Sequence, residues 1–351
     1  LDLSAFAFDL PENLIALRPV EPQDSARLLV VHGDGRLEDA SVRDLPDYLS
    51  AGDTLVFNDT RVIPAALKGL RPARDEMGKD VVVDANLVER IGPSTWRALA
   101  RPGKRLKPGD IVNFGDGFSG RITDKADTGE ICFEFSLSGK ALDEALDAHG
   151  AMPLPPYIAR RRAADAEDRK TYQTSFAGEE AESVAAPTAG LHFTPCLRSE
   201  LQAAGIESET VRLHVGLGTF SPLKESQLKA SRLHEEWRRI SPEAAERLNA
   251  VRAAGKRIVP VGTTALRTLE SSVGVDDKLV ACSGPTDIFL KPGDRLRATD
   301  ALVTNFHLPE SSLFMLVCAL MGTDVMQAAY AHAIAGSYRF YSYGDACLLL
   351  P

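Results

Sequence analysis

Two kinds of apolar patterning divide the chain. Between residues 67 and 153 the apolar positions fall in short runs at 81–83, 85–88, 96–100, 111–114, 120–123 and 131–137. Turns such as Arg101-Pro102-Gly103, Lys107-Pro108-Gly109-Asp110 and Gly115-Asp116-Gly117 separate them. Short alternating strands with regular turn signals predict an antiparallel barrel or sandwich. A helix at 142–150 leads out of this region, and the Pro-rich stretch 152–158 (MPLPPYI) is an extended return. From residue 183 onward, apolar runs are followed by helical periodicity. A strand end at 184–186 precedes a helix at 195–204, and strands at 207–214 and 257–261 precede helices at 242–254 and 265–272. A strand at 301–306 precedes helices at 311–321 and 324–335. Such alternation predicts a mostly parallel sheet covered by helices. Ahead of residue 67 lie strands at 27–31 and 55–57, a hairpin turn at His32-Gly33-Asp34-Gly35, and a short helix at 42–49. The expected architecture is therefore α/β. Residues 1–66 and 154–351 form a mostly parallel sheet domain, and 67–153 form an inserted antiparallel β-barrel.

Composition narrows the class. A chain of 351 residues is long for one core, which agrees with two domains. The five cysteines are scattered, without CxxC spacing or Cys/His ligand spacing. That pattern argues against a disulfide framework or a zinc site and fits a reducing, cytoplasmic location. The N-terminal stretch LDLSAFAFDLPENL lacks the basic start and continuous apolar run of a signal peptide. The run 313–321 is too short to span a bilayer, so no membrane association is expected. The net charge of −9 counts against nucleic-acid binding by the chain as a whole. The charge is uneven, however. Residues 68–107 hold ten basic and five acidic side chains, a local excess of five, and Arg160-Arg161-Arg162 with Arg169-Lys170 make a second cluster. A solvated face and a phosphate-binding surface both fit these clusters.

Four strand-to-helix turns carry polar residues where α/β proteins place ligands. The first is 183–194 (SVAAPTAGLHFT), with Thr188, Gly190 and His192, and with Thr194 as N-cap before Pro195. The second is Asn58-Asp59-Thr60-Arg61. The third is Gly262-Thr263-Thr264-Ala265, followed by Arg267 and Glu270, which read as an ordinary helical ion pair. The fourth, 304–312, holds Asn305 and His307. His192, His214 and His307 thus stand at three strand C-termini, and imidazole suits proton transfer near neutral pH. Gly216 and Gly218 form a GxG without the rest of a dinucleotide fingerprint, and read as a tight loop beside a ligand. His234 and Glu236 are two apart, too close for an HExxH zinc arrangement, so no metal site is expected.

These stretches carry a resemblance. Residues 24–30, 55–65 (LVFNDTRVIPA), 153–158 (PLPPYI), 172–177 (YQTSFA), 183–194, 213–222 (LHVGLGTFSP), 261–271 (VGTTALRTLES), 286–294 (TDIFLKPGD), 304–316 (TNFHLPESSLFML) and 338–349 (YRFYSYGDACLL) are similar to the S-adenosylmethionine:tRNA ribosyltransferase-isomerase family of queuosine biosynthesis. The family often has a second histidine where Ser231 stands. The resemblance implies an α/β domain with an inserted barrel. It also implies transfer and isomerisation of the ribosyl group of S-adenosylmethionine onto 7-aminomethyl-7-deazaguanine at the wobble position of a GUN-anticodon tRNA. Epoxyqueuosine, adenine and methionine are the products. S-adenosylmethionine is a consumed cosubstrate, and no cofactor is expected.

That reaction needs a base for the acidic carbon beside the sulfonium, a donor to the departing adenine, and an uncharged acceptor amine. His192 and His214 are expected at the reacting centre with His307 close by, and Asp59 or Glu236 orienting one of them. Arg61, Thr188, Thr263 and Thr264 are candidates for the methionine carboxylate or a tRNA phosphate. Asn58, Gly190, Gly216, Gly218, Asn305, His234 and Glu236 are further substrate-binding candidates. Tyr157, Arg160, Arg161 and Arg162 with the basic barrel face would form the tRNA track. The alternatives are a non-catalytic nucleoside- or RNA-binding protein, a nucleoside hydrolase and an ordinary methyltransferase.

Overall fold

Strands that are buried at every position form the middle of one sheet, and strands that alternate close into a barrel. The structure, a computed structural model, describes residues 2–126, 129–179, 181–216, 223 and 225–351, without the side chains of residues 181 and 182. The strands in chain order begin with β1 (Arg27–His32), β2 (Leu37–Ser41), β3 (Thr54–Asn58) and β4 (Arg61–Val62). Six barrel strands follow: β5 (Ala66–Arg71), β6 (Val81–Arg90), β7 (Thr95–Arg101), β8 (Ile111–Gly115), β9 (Phe118–Lys125) and β10 (Glu130–Phe135). The remainder are β11 (Ala181–Ser183), β12 (Glu207–Leu213), β13 (Glu236–Ile240), β14 (Ile258–Val261), β15 (Cys282–Thr286), β16 (Leu302–Asn305) and β17 (Ala346–Leu350).

The main sheet has the order β15-β13-β12-β3-β14-β16-β17-β1-β2. Its centre is parallel: β3 pairs with β12 and β14, and β14 with β16. The pairing of β1 with β17 is also parallel. Toward the edges β13, β15 and β2 run antiparallel, and β17 runs antiparallel to β16, so the sheet as a whole is mixed. The expected α/β sheet is present, and of its antiparallel members β2, β13 and β15 carry no apolar run, whereas β17 (ACLLL) is apolar and buried. β13 (EWRRI) and β15 (CSGPT) are polar because they lie near an edge, where burial on both faces is not required.

The barrel closes in the order β10-β7-β6-β5-β8-β9. On β6, Val81, Val83, Ala85 and Leu87 face inward. Phe114, Phe118, Phe133 and Phe135 fill the interior with edge and stacked ring contacts. Gly69 has to be glycine, because a Cβ there would lie 2.6 Å from both the Asn113 carbonyl oxygen and the Phe114 ring. The helix Gly139–His149 adds Leu142 and Leu146 to this core, and Ile63 and Val184 reach it from the α/β side.

Two local expectations change. The buried run 184–186 is not a strand; the strand there is β11, paired parallel with β4. The Ser183 hydroxyl donates to the Ala185 carbonyl at 2.8 Å and accepts from the Val215 amide at 3.0 Å, doing the work of a ladder with one side chain. The predicted helix at 42–49 is a 3-10 turn, Val42–Asp44, followed by one α turn, Leu45–Tyr48. The helix Pro195–Ala203 forms as expected, with the Thr194 hydroxyl accepting from the Leu197 amide at 3.2 Å. The helices Ser312–Met321 and Thr323–Ala335 pack against one face of the sheet through Phe314, Met315 and Tyr330. They bend by 116° at their junction, and among the described residues no single helix is long and apolar enough to cross a membrane.

Candidate functional site

The parallel strands β3, β14 and β16 end side by side, and the chain turns away after each. Asn58 closes β3 and ties it to the end of β12 and to the helix that follows β14. Its side-chain amide donates to the Leu213 carbonyl at 3.0 Å and to the Thr264 hydroxyl at 3.1 Å. Its carbonyl oxygen accepts from the Thr60 and Leu213 amides at 3.2 and 3.1 Å. After β14, Gly262 has φ +88° and sits at the N-cap of the helix Thr263–Glu270. That conformation suits glycine and lets the helix start directly at the strand end. Thr263 and Thr264 therefore do not cap the helix; both line a pocket above the strands.

This pocket has Thr188, Asn305, His307 and Tyr341 on its other walls and contains about 570 Å³ of space measured out to its open mouth. His307 is buried, with Nε2 3.1 Å from the Thr304 hydroxyl, and its backbone amide donates to the Tyr330 hydroxyl at 2.9 Å. Burial pushes its imidazole down to about 3, so it is neutral at physiological pH. Asn305 carries a chain of hydrogen bonds. The Thr188 hydroxyl donates to its Oδ1 at 2.9 Å, and its Nδ2 lies 3.4 Å from His192 Nε2. His192 Nδ1 is 3.3 Å from the Gln23 carbonyl oxygen, which fixes the proton on Nδ1 and leaves Nε2 as the acceptor. Burial lowers the His192 pKa as well.

The three histidines do not converge. His307 lines the pocket, whereas His192 stands behind Asn305 with both nitrogens engaged. His214 lies in a second cavity, a cleft between the sheet and the barrel. Its imidazole stacks on the Trp237 indole with centroids 4.7 Å apart. Gly216, Glu235 and Glu236 line the cleft on the sheet side, and Val88, Glu89 and Arg90 line it on the barrel side. Val215 lines both cavities, so pocket and cleft are neighbours.

Other expected residues have structural partners. Asp59 does not orient a histidine; its carboxylate takes Nε and Nη2 of Arg212 at 2.8 and 2.9 Å. Glu236 forms a buried ion pair with Arg267 and accepts the Gly216 amide at 3.2 Å. Arg267 and Glu270 therefore do not pair. Glu270 instead accepts from the Arg297 and Ala298 amides and the Thr299 hydroxyl at 2.8–2.9 Å. Arg61 and His234 are exposed and line neither cavity. A Cβ on Gly190 would meet the Phe176 ring at 2.6 Å, so this glycine serves close packing. Gly218 lies outside the described residues. Ser231 accepts from Lys291 at 2.8 Å on the surface.

The basic run 160–162 is similarly split. Arg162 binds Asp168 with two hydrogen bonds of 2.7 Å, Arg161 reaches Glu12 at 2.8 Å, and Arg160 is exposed. Tyr157 has its partners within the protein. Its ring meets Tyr341 edge-on at 4.4 Å, and its hydroxyl accepts from the Ser342 amide at 3.1 Å. Tyr157 thus braces Tyr341, a pocket residue that strand and turn signals do not reveal. Tyr341 has φ +76°, a conformation rare outside glycine that tends to occur at functional sites. The local signal for it was membership of the matched stretch 338–349.

The model of the family described as "Queuosine biosynthesis protein" matches residues 3–349. A protein of Hyphomonas neptunium named S-adenosylmethionine:tRNA ribosyltransferase-isomerase is 72% identical over 351 residues, covering 100% of both chains. One of the same name from Maricaulis maris is 56% identical over 348 residues, covering 99% of this chain and 98% of that one. The crystal structure of S-adenosylmethionine tRNA ribosyltransferase from Thermotoga maritima is 32% identical with a TM-score of 0.56, covering 99% of this chain and 100% of that one.

Proposed function

The chain belongs to the queuosine biosynthesis family whose relatives carry the name S-adenosylmethionine:tRNA ribosyltransferase-isomerase, and from that premise we propose that it transfers and isomerises the ribosyl group of S-adenosylmethionine onto a tRNA base. The acceptor is 7-aminomethyl-7-deazaguanine at the wobble position of a GUN anticodon, and adenine and methionine leave. The observation that carries this reading is the adjacency of the two cavities at Val215: a pocket over the strand ends, and a cleft between sheet and barrel. A donor bound in the first would present its ribose to a base entering the second.

The roles follow from environment. Tyr341 offers an aromatic wall for adenine, and Thr188, Thr263, Thr264 and Asn305 offer hydrogen bonds to donor hydroxyls and carboxylate. His307, held neutral, is a hydrogen-bonding group toward the leaving adenine and a poor proton acceptor at pH 7. His214, half-buried beside the cleft, is the imidazole placed to take the proton that the acceptor amine releases as its bond to carbon forms. His192 is a positioning residue, acting on the pocket wall through Asn305.

The experiment is incubation with S-adenosylmethionine and tRNA carrying the aminomethyl base, followed by mass spectrometry of the small molecules. Adenine and methionine are expected together, and only with that tRNA. Adenine without tRNA would mean a hydrolase, S-adenosylhomocysteine a methyltransferase, and no product from protein that binds the tRNA a non-catalytic binder.

The tRNA backbone needs cations other than Arg161 and Arg162. Arg101, Lys104 and Lys107 are exposed on one barrel loop and, among the described residues, have no ion-pair partner. Asp84 is opposite Arg101 and Arg90 opposite Trp96, so this loop and the cleft lie at opposite ends of the β6–β7 hairpin. Six residues at ~3.3 Å each separate them by roughly 20 Å. That distance suits phosphates of an anticodon stem whose loop base enters the cleft. Reversing all three charges to Glu is expected to raise KM for tRNA at least tenfold and leave KM for S-adenosylmethionine unchanged. It should also flatten the dependence of log KM on log salt by roughly 0.7–0.9 per lost contact. Equal effects on both substrates would remove this loop from the tRNA surface.

A further inference from the structure

The cleft has a composition unlike that of a phosphate-binding surface. Trp237 is 37% exposed there, whereas Trp96, the other tryptophan, is sealed inside the barrel. The Trp237 indole is held in place by the stacked His214 ring and by the strand itself, since the His214 amide donates to the Trp237 carbonyl at 2.9 Å. Most charges around it are already committed. Glu89 takes Arg97 at 2.8 Å, Glu236 is buried against Arg267, and Arg90 is held by Asp143 with its guanidinium 5.1 Å from the Trp96 ring. Glu235 is exposed at the cleft wall and, among the described residues, has no ion-pair partner. A cleft whose uncommitted charge is a carboxylate repels phosphate and favours a cation. A partly exposed indole favours a planar ring.

We propose that Trp237 and Glu235 form the acceptor-base subsite. The indole stacks on the flipped nucleobase, and the carboxylate takes the cationic aminomethyl arm in a charge-assisted hydrogen bond. This rests on the ribosyl-transfer reading given above and deepens it. An alkylamine titrates near the lysine range and so arrives protonated at neutral pH; it gives up one proton to solvent beside Glu235 to free its lone pair, and the second passes to His214 as the bond to carbon forms. Unmodified guanine has no such arm, and Glu235 then discriminates the modified base from guanine, whereas Trp237 contributes to the binding of either.

The test uses the full chain and one tRNA in two forms, with guanine or with 7-aminomethyl-7-deazaguanine at the wobble position. Equilibrium binding of both is measured alongside KM and kcat. Wild type is expected to prefer the modified form. Glu235→Gln should reduce that preference at least tenfold while leaving the guanine form within twofold. Trp237→Ala should weaken both forms at least tenfold, and Trp237→Phe should recover most of the loss. The melting temperature of Glu235→Gln should stay near wild type because that side chain is exposed, and Trp237→Phe, which keeps a ring against His214, separates lost base stacking from lost stability. The proposal is overturned if Glu235→Gln keeps the wild-type preference, or if Trp237→Ala keeps tRNA affinity within twofold. If wild type consumes S-adenosylmethionine with the modified tRNA and the variants match it in binding and KM, this subsite alone is wrong. If wild type releases no adenine and methionine, the transferase reading fails, and the binding comparison still judges the subsite.

Discussion

Replacing Glu236 by alanine is expected to cost the fold about 3–5 kcal/mol, the effect of stripping a buried charge of its partner. The side chains of Glu236 and Arg267 are 7% and 5% exposed. Among the described residues, Nε and Nη2 of Arg267 have no hydrogen-bond acceptor, so the guanidinium depends on this one carboxylate. Arg267→Ala should be damaging for the reciprocal reason. The double variant Glu236→Leu with Arg267→Met keeps most of the volume and removes both charges. It should be more stable than either single variant, since apolar replacement of a buried pair is often neutral or better. Urea unfolding of wild type, the two single alanine variants and the double Glu236→Ala with Arg267→Ala gives the coupling energy, and strictly additive losses would contradict the assignment. Activity should separate from stability. Glu236 also accepts the Gly216 amide, at the strand exit between pocket and cleft. The double variant Glu236→Leu with Arg267→Met is therefore expected to regain stability and remain at least tenfold slower than wild type.

Acidification should destabilise the protein well before its carboxylates titrate. His307 is held down to about 3 by burial, and His192 is lowered for the same reason. In the unfolded chain both titrate near 6.5. Below that value the unfolded state binds protons that the native state refuses, so stability is complete above pH ~6.5 and falls as pH drops toward the folded values. His307 alone should remove about 2 kcal/mol between pH 7 and pH 5, approaching ~1.4 kcal/mol per pH unit. The native carboxylates with lowered pKa, such as Asp53 against Arg257 and Asp110 against Arg74, lose their contribution only as pH falls through the range below their ordinary value of 3.8. The window from 5 to 6.5 therefore isolates the histidines. Denaturant midpoints across that window should slope less steeply in His307→Gln than in wild type. An equal slope would mean that His307 takes up its proton in the folded protein.

Much of the fold was legible along the chain because its signals are local. Period-two alternation on β6 and β7 marks a barrel wall, where every second side chain must leave water. Runs such as β14 and β16, buried at every position, mark strands covered on both faces. Thr194 before Pro195 marks a helix start whatever packs on it. The strand ends that carry Asn58, Thr263, Thr264, Asn305 and His307 were found in the same way, as polar residues where apolar ones end. Polar strands such as β15, at the sheet edge, and β13 beside it carry no such mark, because a strand covered on one face or at an edge needs no apolar signature.

What the chain could not decide locally was which groups meet. Arg267 has Glu270 one helical turn away, yet pairs with Glu236, 31 residues earlier on strand β13. Arg162 belongs to a run that reads as a phosphate surface, yet folds onto Asp168. Three histidines whose local sequence reads as strand ends separate into a pocket wall, a buried support on the 3-10 turn Thr188–His192, and a domain cleft. The physical reason is that periodicity encodes how much water each side chain must lose, which is a property of one element. The partner that replaces that water is set by strand order, register and the crossing of helices over the sheet, and those exist only once distant segments have packed.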